Sequence, residues 1–383
     1  MSEPAAPQVA PRSVQVWLRL GLVLGLLYLF LVGVKGLESG IKAFGADFAD
    51  RLFETVSSPI AGLFAGILAT VLVQSSSVST STIVGLVGSG ALTVTAAVPM
   101  IMGANIGTTV TNTLASLGHL RRGAEFRRAF AGATVHDFFN LLAVAVILPV
   151  ELATGFLSDA ATSLTKVLSG RSDLAGVAPE GSIIKDAIKV PVGWFESGVE
   201  AVSDSGTVLG IALLVAGLGL IFLALAMITR NMRIVMQGRI ERSLNAVLGK
   251  GGGIGAMLIG VIITIAVQSS SITTSVLIPL VAAGVLTLEN AYPVTLGANV
   301  GTTVTALLAS VAADRPEALT IALVHTLFNI TGILLFYPVP ALRLIPIRLA
   351  TRLAVLADAK KRLVLVYVVG LFVVLPIVGI AVF

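Results

Sequence analysis

Residues 74–77 read Gln-Ser-Ser-Ser, and residues 268–271 read the same. Each of these QSSS motifs is followed by a second motif, Gly-Ala-Asn-(Ile/Val)-Gly-Thr-Thr-Val-Thr, at 103–111 and again at 297–305. At this constant offset of 194 positions, residues 74–112 and 268–306 are identical at 21 of 39 positions. A match of this length indicates an internal duplication, which decides the architecture before any single helix is assigned.

The composition indicates whether the chain folds in water or in a membrane. Of its 383 residues 56% are hydrophobic and 12% are charged, about half the charge of an ordinary globular protein. The apolar stretches run to about 20 residues, the length of membrane-spanning helices rather than barrel strands. The sequence therefore predicts an all-α polytopic membrane protein.

Several site classes are excluded by the same composition. The chain has no cysteine, which rules out disulfides and thiol catalysis, and its three histidines are too few and scattered for a conventional metal cluster. The net charge of +5 is assigned to cytoplasmic loops rather than to nucleic-acid binding.

Both QSSS motifs interrupt apolar runs, at 59–92 and at 252–286. Non-helical backbone at membrane depth is tolerated only where it is buried in protein or lines a wet cavity. We therefore predict two re-entrant helical hairpins with a QSSS motif in each. Residues 38–58 mix charged and apolar positions at helical spacing and predict an amphipathic interfacial helix.

Charge bias predicts the orientation of the spans. Arginine-rich segments after residues 117, 229 and 340 are placed in the cytoplasm, together with the N-terminus, and the acidic segment 152–205 is placed outside. The first hairpin then enters from outside and the second from inside, which makes the duplication an inverted-topology repeat.

The predicted organisation has five parts. They are a disordered N-terminus (1–11), a first transmembrane repeat (12–151), an extracellular loop (152–205), a second transmembrane repeat (206–340), and a basic cytoplasmic loop with a final transmembrane helix (341–383).

The repeated motifs offer uncharged ligands for small ions. Ser75–Ser77 and Ser269–Ser271 supply hydroxyl groups, and at a helix N-terminus they form an anion seat without a buried cation. The neutral oxygens that suit sodium lie at i, i+3 and i+6 of each second motif and share one helix face. They belong to Asn105, Thr108 and Thr111, and to Asn299, Thr302 and Thr305.

A third duplicated motif carries the one acid of interest. His136-Asp137-Phe-Phe-Asn140 matches His325-Thr-Leu-Phe-Asn329, but only the first copy has a carboxylate. A carboxylate inside a span is costly and functional by default, so Asp137 is predicted as an ion ligand or charge compensator. The histidines are interpreted as hydrogen-bonded structural residues. Arg128, at a span end, either snorkels to the interface or gates an anion.

Two other function classes fit less well. An intramembrane hydrolase would need a relay, but the adjacent His136 and Asp137 point about 100° apart on a helix, and the second copy lacks the acid. A passive anion channel would leave the sodium-like oxygen clusters without a purpose.

The motifs together, with Ala-Gly-Ala-Thr-Val-His-Asp-Phe-Phe-Asn at 131–140, resemble the type II sodium–phosphate cotransporter family over most of residues 20–340. The resemblance implies inward symport of inorganic phosphate with sodium as coupling ion, no cofactor and no enzymatic activity, in a bacterial inner membrane. An aspartate at position 137 implies electrogenic transport. From the residues alone, another oxyanion such as sulfate stays open.

The resemblance also implies site residues. Gln268, Ser269, Asn299, Thr302 and Thr305 match one sodium site. Asp137, Asn140 and Gln74 match a second. Ser75, Ser76, Ser77, Ser269, Ser270 and Ser271, with Arg128, would contact phosphate.

Overall fold

The structure, a computed structural model, describes residues 13–45, 58–170, 183–236 and 253–383. The predicted disordered segment 1–11 lies outside them. The regular structure of the described residues is helical. In chain order the α-helices are α1 (Ser13–Ala43), α2 (Pro59–Val73), α3 (Ser76–Ser89), α4 (Val94–Gly107), α5 (Val110–Ser116), α6 (Gly123–Thr154), α7 (Phe156–Ser169), α8 (Ile183–Glu200), α9 (Gly206–Met236), α10 (Gly253–Val267), α11 (Ser270–Ser275), α12 (Leu277–Ala282), α13 (Leu288–Ala312), α14 (Glu317–Phe336), α15 (Pro340–Ala359), α16 (Arg362–Val369) and α17 (Leu375–Val382).

Seven stretches of the described chain are long and apolar enough to cross a membrane. They are Gln15–Ala43, Val94–His119, Gly123–Thr154, Gly206–Met236, Leu288–Ala312, Glu317–Phe336 and Arg362–Val382. The prediction of an all-α polytopic membrane protein is confirmed. The 15-residue apolar helices α2 and α10 are shorter than a span, and each ends at a QSSS motif.

The duplication is visible in the packing of these short helices. Helix α2 packs on α4, and α10 packs on α13. A Cβ on Gly103 would overlap the carbonyl oxygen of Leu63, and one on Gly297 would overlap that of Met257, 194 positions further on. Both halves therefore bring a short helix and a motif-bearing helix into backbone contact at the same glycine.

Helices α1 and α9 form a second close pair. A Cβ on Gly33 would lie 2.9 Å from the carbonyl oxygen of Gly217, and one on Gly40 would lie 2.7 Å from the backbone nitrogen of Leu214. Small residues at a helix interface allow this approach, which favours association within a membrane.

The amphipathic helix predicted over 38–58 was wrong for its first six residues, and 46–57 lie outside the described residues. Residues 38–43 are the last turns of α1, where Glu38 is fully buried. Glu38 is tolerated there because Lys35 and Lys42 pair with it at 3.3 and 2.6 Å. The same lysines bind Asp314, beyond the end of α13, at 2.5 and 3.1 Å.

The C-terminal segment wraps the first half of the chain. The predicted basic loop 341–362 is mainly helix α15, which packs on α6, and α17 packs on α2. The segment 152–205 contains α7 and α8. These contacts bring the end of the chain against the helix that carries Asp137.

Candidate functional site

Each QSSS motif lies where a helix stops and another begins. Gln74 ends α2 and Gln268 ends α10, both with φ of 57°. They are the only non-glycine residues with positive φ in the described part of the chain. This left-handed conformation costs a residue with a side chain about 1–2 kcal/mol. The same strain at the same motif in both halves points to a function.

The side chains of both glutamines are held in the same way. The amide nitrogen donates to the carbonyl oxygen three residues earlier, at 2.6 Å for Gln74 and 2.7 Å for Gln268. The amide oxygen accepts a hydrogen bond from Thr111 at 3.2 Å in the first half and from Thr305 at 2.9 Å in the second. Each motif is thereby tied to the helix that packs beside it.

The serines start the helices after each break. The hydroxyl oxygens of Ser75 and Ser269 accept hydrogen bonds from the backbone nitrogen three residues on, at 3.3 and 3.4 Å, as N-caps do. Ser76 accepts a hydrogen bond from Thr108 at 2.8 Å, and Ser270 is buried at the equivalent place. Ser77 and Ser271 follow in the first turn.

Both motifs open onto one cavity of about 240 Å³. Its lining residues are Val73, Gln74, Ser75, Val78, Phe222, Leu225, Ala226, Thr229, Gln268 and Ser269. The two QSSS breaks, 194 residues apart in sequence, therefore face the same small space. The remaining wall comes from α9. The sequence analysis did not predict that α9 contributes to the site, because its one polar lining residue, Thr229, lies at the end of an apolar run.

A buried chain of amide side chains joins the two halves. His136 donates from Nε2 to Oδ1 of Asn299 at 2.5 Å, and Asn299 donates to Oδ1 of Asn140 at 2.8 Å. Asn140 donates to the backbone oxygen of Asn105 at 2.6 Å. All four are at most 4% exposed. Three of the predicted sodium ligands thus lie side by side, and His136 is hydrogen-bonded as predicted.

Asp137 is fully buried beside this chain. Its Oδ2 accepts hydrogen bonds from Thr113 at 3.2 Å and from Tyr367 at 2.7 Å. Its Oδ1 is buried without a hydrogen-bond partner among the described residues. A buried carboxylate oxygen without a hydrogen-bond partner is a candidate cation ligand, because burying an unpaired charge is costly. The sequence analysis did not identify either donor. One signal was available for Thr113: it aligns with a leucine in the second copy, and Asp137 likewise has no acidic counterpart there.

Asn112 forms a second link between the halves, and it too was missed. It donates to the hydroxyl of Thr274 at 2.6 Å and accepts from Ser275 at 3.1 Å. Both partners lie in α11, the helix that begins within the second QSSS motif. Asn112 aligns with Ala306, and a polar residue present in only one copy was the available signal.

Some predicted site residues are not brought together. Arg128 donates to the backbone oxygen of Ala282 at 2.7 Å, at the end of α12, and lines a separate cavity of about 380 Å³. A cation at a helix C-terminus is favourable on its own account. Thr302 turns to the backbone oxygen of Ala298 at 3.0 Å. Gln74 and Asp137, predicted as ligands of one sodium, have different partners: Gln74 accepts from Thr111, and Asp137 accepts from Tyr367.

A sequence model of the Na⁺/Pi-cotransporter family matches residues 29–169 and 220–345, a range that includes both QSSS motifs. The chain belongs to the Na⁺/Pi-cotransporter family. The range ends before α16, so Tyr367 lies outside the part that defines the family.

Characterised members of the Na⁺/Pi-cotransporter family align with almost the whole chain. Sodium-dependent phosphate transport protein 2A of Ovis aries is 35% identical over 98% of this chain and 69% of its own length. The 2A protein of Rattus norvegicus is 36% identical over 97% of this chain and 69% of its own. Protein 2B of Homo sapiens is 35% identical over 94% and 64%.

No solved structure matches the chain. The family is one of transporters rather than enzymes, and sodium as coupling ion is consistent with it. The hydrolase alternative is thereby excluded.

Proposed function

We propose that this protein is a secondary active transporter that carries inorganic phosphate inward with sodium, by alternating access at a midplane site between the two QSSS motifs. The names of the relatives, sodium-dependent phosphate transport proteins, support phosphate as the substrate and sodium as the coupling ion. The observation that carries the proposal is that Gln74 and Ser75 share one cavity with Gln268 and Ser269.

The phosphate would be held by the serines of both motifs. Hydroxyl groups and free backbone N–H groups at the starts of α3 and α11 donate to an oxyanion without a buried positive charge. No basic side chain lines the shared cavity among the described residues. Arg128 lies at the other cavity, so we propose no contact between it and phosphate in this conformation.

Neutral oxygens beside the phosphate seat would hold sodium. In the second half, the Gln268–Thr305 pair supplies an amide and a hydroxyl oxygen 2.9 Å apart, with Ser269 next to it. Asn299 and Thr302 lie on the same helix and complete the proposed set. The first half offers the equivalent Gln74–Thr111 pair. Asn105 lies on α4, and Thr108 is the residue that caps the end of that helix.

Asp137 and Asn140 would hold a further sodium and set the charge of the cycle. Moving a dianion inward against an inside-negative potential costs about 2.3 kcal/mol per charge per 100 mV. Binding more sodium charge than phosphate charge reverses the sign, so the transport would be electrogenic. A carboxylate with a vacant oxygen supports this role.

The duplication supports alternating access by two halves of opposite orientation. The helix breaks at Gln74 and Gln268 have equivalent geometry in two duplicated halves. In this proposal the halves are oppositely oriented, so exchange of their conformations opens the shared cavity to one side and then the other. The re-entrant course of the hairpins, the cytoplasmic N-terminus and the bacterial inner membrane belong to this proposal.

Uptake into liposomes tests it. Purified protein should accumulate labelled phosphate under an inward sodium gradient and not under an equal potassium gradient. Excess unlabelled phosphate should compete fully. Full competition by sulfate would assign the site to oxyanions in general, and equal uptake in potassium would contradict sodium coupling.

A further inference from the structure

The last transmembrane stretch touches the proposed ion site through one side chain. Tyr367, on α16, donates its phenol hydrogen to Oδ2 of Asp137 at 2.7 Å across 230 positions of sequence. This hydrogen bond is shorter than the one that Thr113 donates to the same oxygen. The stretch has no counterpart in the duplication and lies outside the range matched by the family.

The surroundings hold the Tyr367 ring in place. Phe130 on α6 meets it edge-on, with centroids 6.2 Å apart, and Phe372 does so at 6.1 Å. Phe372 belongs to a π-helical turn, Gly370–Val374, that begins three residues after Tyr367. Single π-helical turns within helices are frequent at functional sites.

The position of Asp137 follows from these contacts. Thr113 and Tyr367 both bind Oδ2, so the carboxylate is fixed from one side and Oδ1 is left without a partner. Without Tyr367, Oδ2 keeps only the longer hydrogen bond from Thr113 among the described residues. A single hydroxyl at 3.2 Å restrains the carboxylate less than two donors on the same oxygen do.

We infer that Tyr367 is a positioning residue for ion coupling: it fixes the Asp137 carboxylate so that Oδ1 faces the cation. The inference rests on the proposed function, in which Asp137 binds sodium. The final helix is then part of the coupling machinery, and its phenol acts on sodium binding rather than on phosphate.

A plain packing role for the ring is the competing explanation, and the chain contains a matched control. Tyr292 is fully buried, and its hydroxyl has no hydrogen-bond partner among the described residues. Its ring meets Phe139 at 6.2 Å and 71°, the same geometry as Tyr367 with Phe130. Tyr292→Phe therefore removes the same atom without removing a donor to Asp137.

The test compares Tyr367→Phe, Tyr292→Phe and the wild type in two measurements. The first is the sodium concentration for half-maximal phosphate uptake in liposomes. The second is the rise in melting temperature of the purified protein when sodium replaces potassium. Loss of one hydrogen bond to a charged group predicts about a tenfold higher half-saturating sodium concentration for Tyr367→Phe. We expect a maximal rate near that of the wild type and a smaller sodium-induced rise in melting temperature.

Tyr292→Phe should stay within about twofold of the wild type, which is below the loss expected for a charged hydrogen bond. The inference is overturned if Tyr367→Phe also stays within twofold or gains sodium affinity, or if both variants shift equally.

The two proposals fail differently. A wild type without sodium-driven phosphate uptake contradicts the proposed function, and the Tyr367 inference is then judged on the sodium-induced change in melting temperature. A wild type that transports, with a sodium response that Tyr367→Phe leaves unchanged, contradicts the inference alone.

Discussion

Thr305 donates its hydroxyl hydrogen to the side-chain oxygen of Gln268 at 2.9 Å. The aligned residues of the other half, Thr111 and Gln74, form the same bond at 3.2 Å. In both halves the acceptor residue has a left-handed backbone. The helix break and the neutral oxygen pair are thus one unit, built twice around a shared cavity.

Gln268→Gly removes the side-chain oxygen of that unit but allows the left-handed backbone to remain. Glycine adopts the left-handed conformation freely, so the melting temperature should stay within a few degrees of the wild type. The half-saturating sodium concentration should rise at least about tenfold, because the lost amide oxygen is a proposed ligand. Gln268→Val is the control: a β-branched residue with φ of 57° should lower the melting temperature further. A glycine variant with wild-type sodium dependence would contradict the role of the amide.

Ser76→Ala and Ser270→Ala test separately what each QSSS motif contributes to the proposed phosphate site. Each serine lies in the first turn after a helix break, and either loss should reduce the initial rate of phosphate uptake at least about tenfold if one phosphate needs both. Ser89→Ala, at the far end of α3, is the matched control and should transport normally. Normal kinetics in both site variants would show that the motifs serve packing only.

Asp137→Gly should reduce or abolish the charge moved per phosphate. The variant removes the buried carboxylate that, in our proposal, balances the additional sodium. The ratio of current to labelled phosphate flux in voltage-clamped proteoliposomes measures this directly. Asp159→Gly removes an exposed acid of α7 and should leave the ratio unchanged. An unchanged ratio in Asp137→Gly would contradict the assignment.

Gly297→Ala should destabilise the fold, because its methyl group would overlap the carbonyl oxygen of Met257 where α13 meets α10. Overpacking of this kind costs about 1–3 kcal/mol or more. Gly219→Ala is a control within another span, since a Cβ there meets nothing within 4 Å. Monodispersity and melting temperature should fall only for Gly297→Ala. Equal behaviour of the two variants would show that the close helix contact is unnecessary.

The ion cluster at the end of α13 predicts a pH dependence of stability. Partial burial acts to raise the pKa of Asp314, but hydrogen bonds and charge from Lys35 and Lys42 outweigh it and hold that pKa below its ordinary value. A lowered folded-state pKa gives stability that is complete above the ordinary value of about 3.9 and is lost as the pH falls towards the folded-state value.

Asp314→Asn should therefore lower the melting temperature at pH 7, and its difference from the wild type should shrink below about pH 4. The effect is modest because Asp314 is 36% exposed. Asp159→Asn serves as the control. A difference that stays constant down to pH 3 would contradict the ion-pair explanation.

The duplicated part of the site was readable because repetition marks positions irrespective of fold. Gln74, Ser75 and their counterparts were predicted from letters that occur twice, and the structure brings both pairs to one cavity. The hydropathy of the spans was sufficient for the fold class, since a bilayer admits few architectures.

What the sequence missed occurs in only one copy or depends on long-range packing. Thr113 and Asn112 have apolar counterparts, and Tyr367 comes from a helix with no counterpart at all. Arg128 was considered as an anion gate from its place at a span end, but it binds the end of α12. The sequence predicted Glu38 in an interfacial helix, but the residue is buried. Its burial depends on two lysines and on Asp314, which is distant in sequence.

The stoichiometry of phosphate binding tests the central claim most directly. Equilibrium binding of labelled phosphate to the purified protein in sodium should give about one phosphate per chain, and none at the same concentration in potassium. Ser76→Ala alone and Ser270→Ala alone should each abolish or severely weaken that binding, because the proposal assigns hydroxyl groups of both motifs to one phosphate. Their neighbours Ser75 and Ser269 line the shared cavity. Two phosphates per chain, or one phosphate bound with unchanged affinity in either variant, would contradict a single site shared by the two halves.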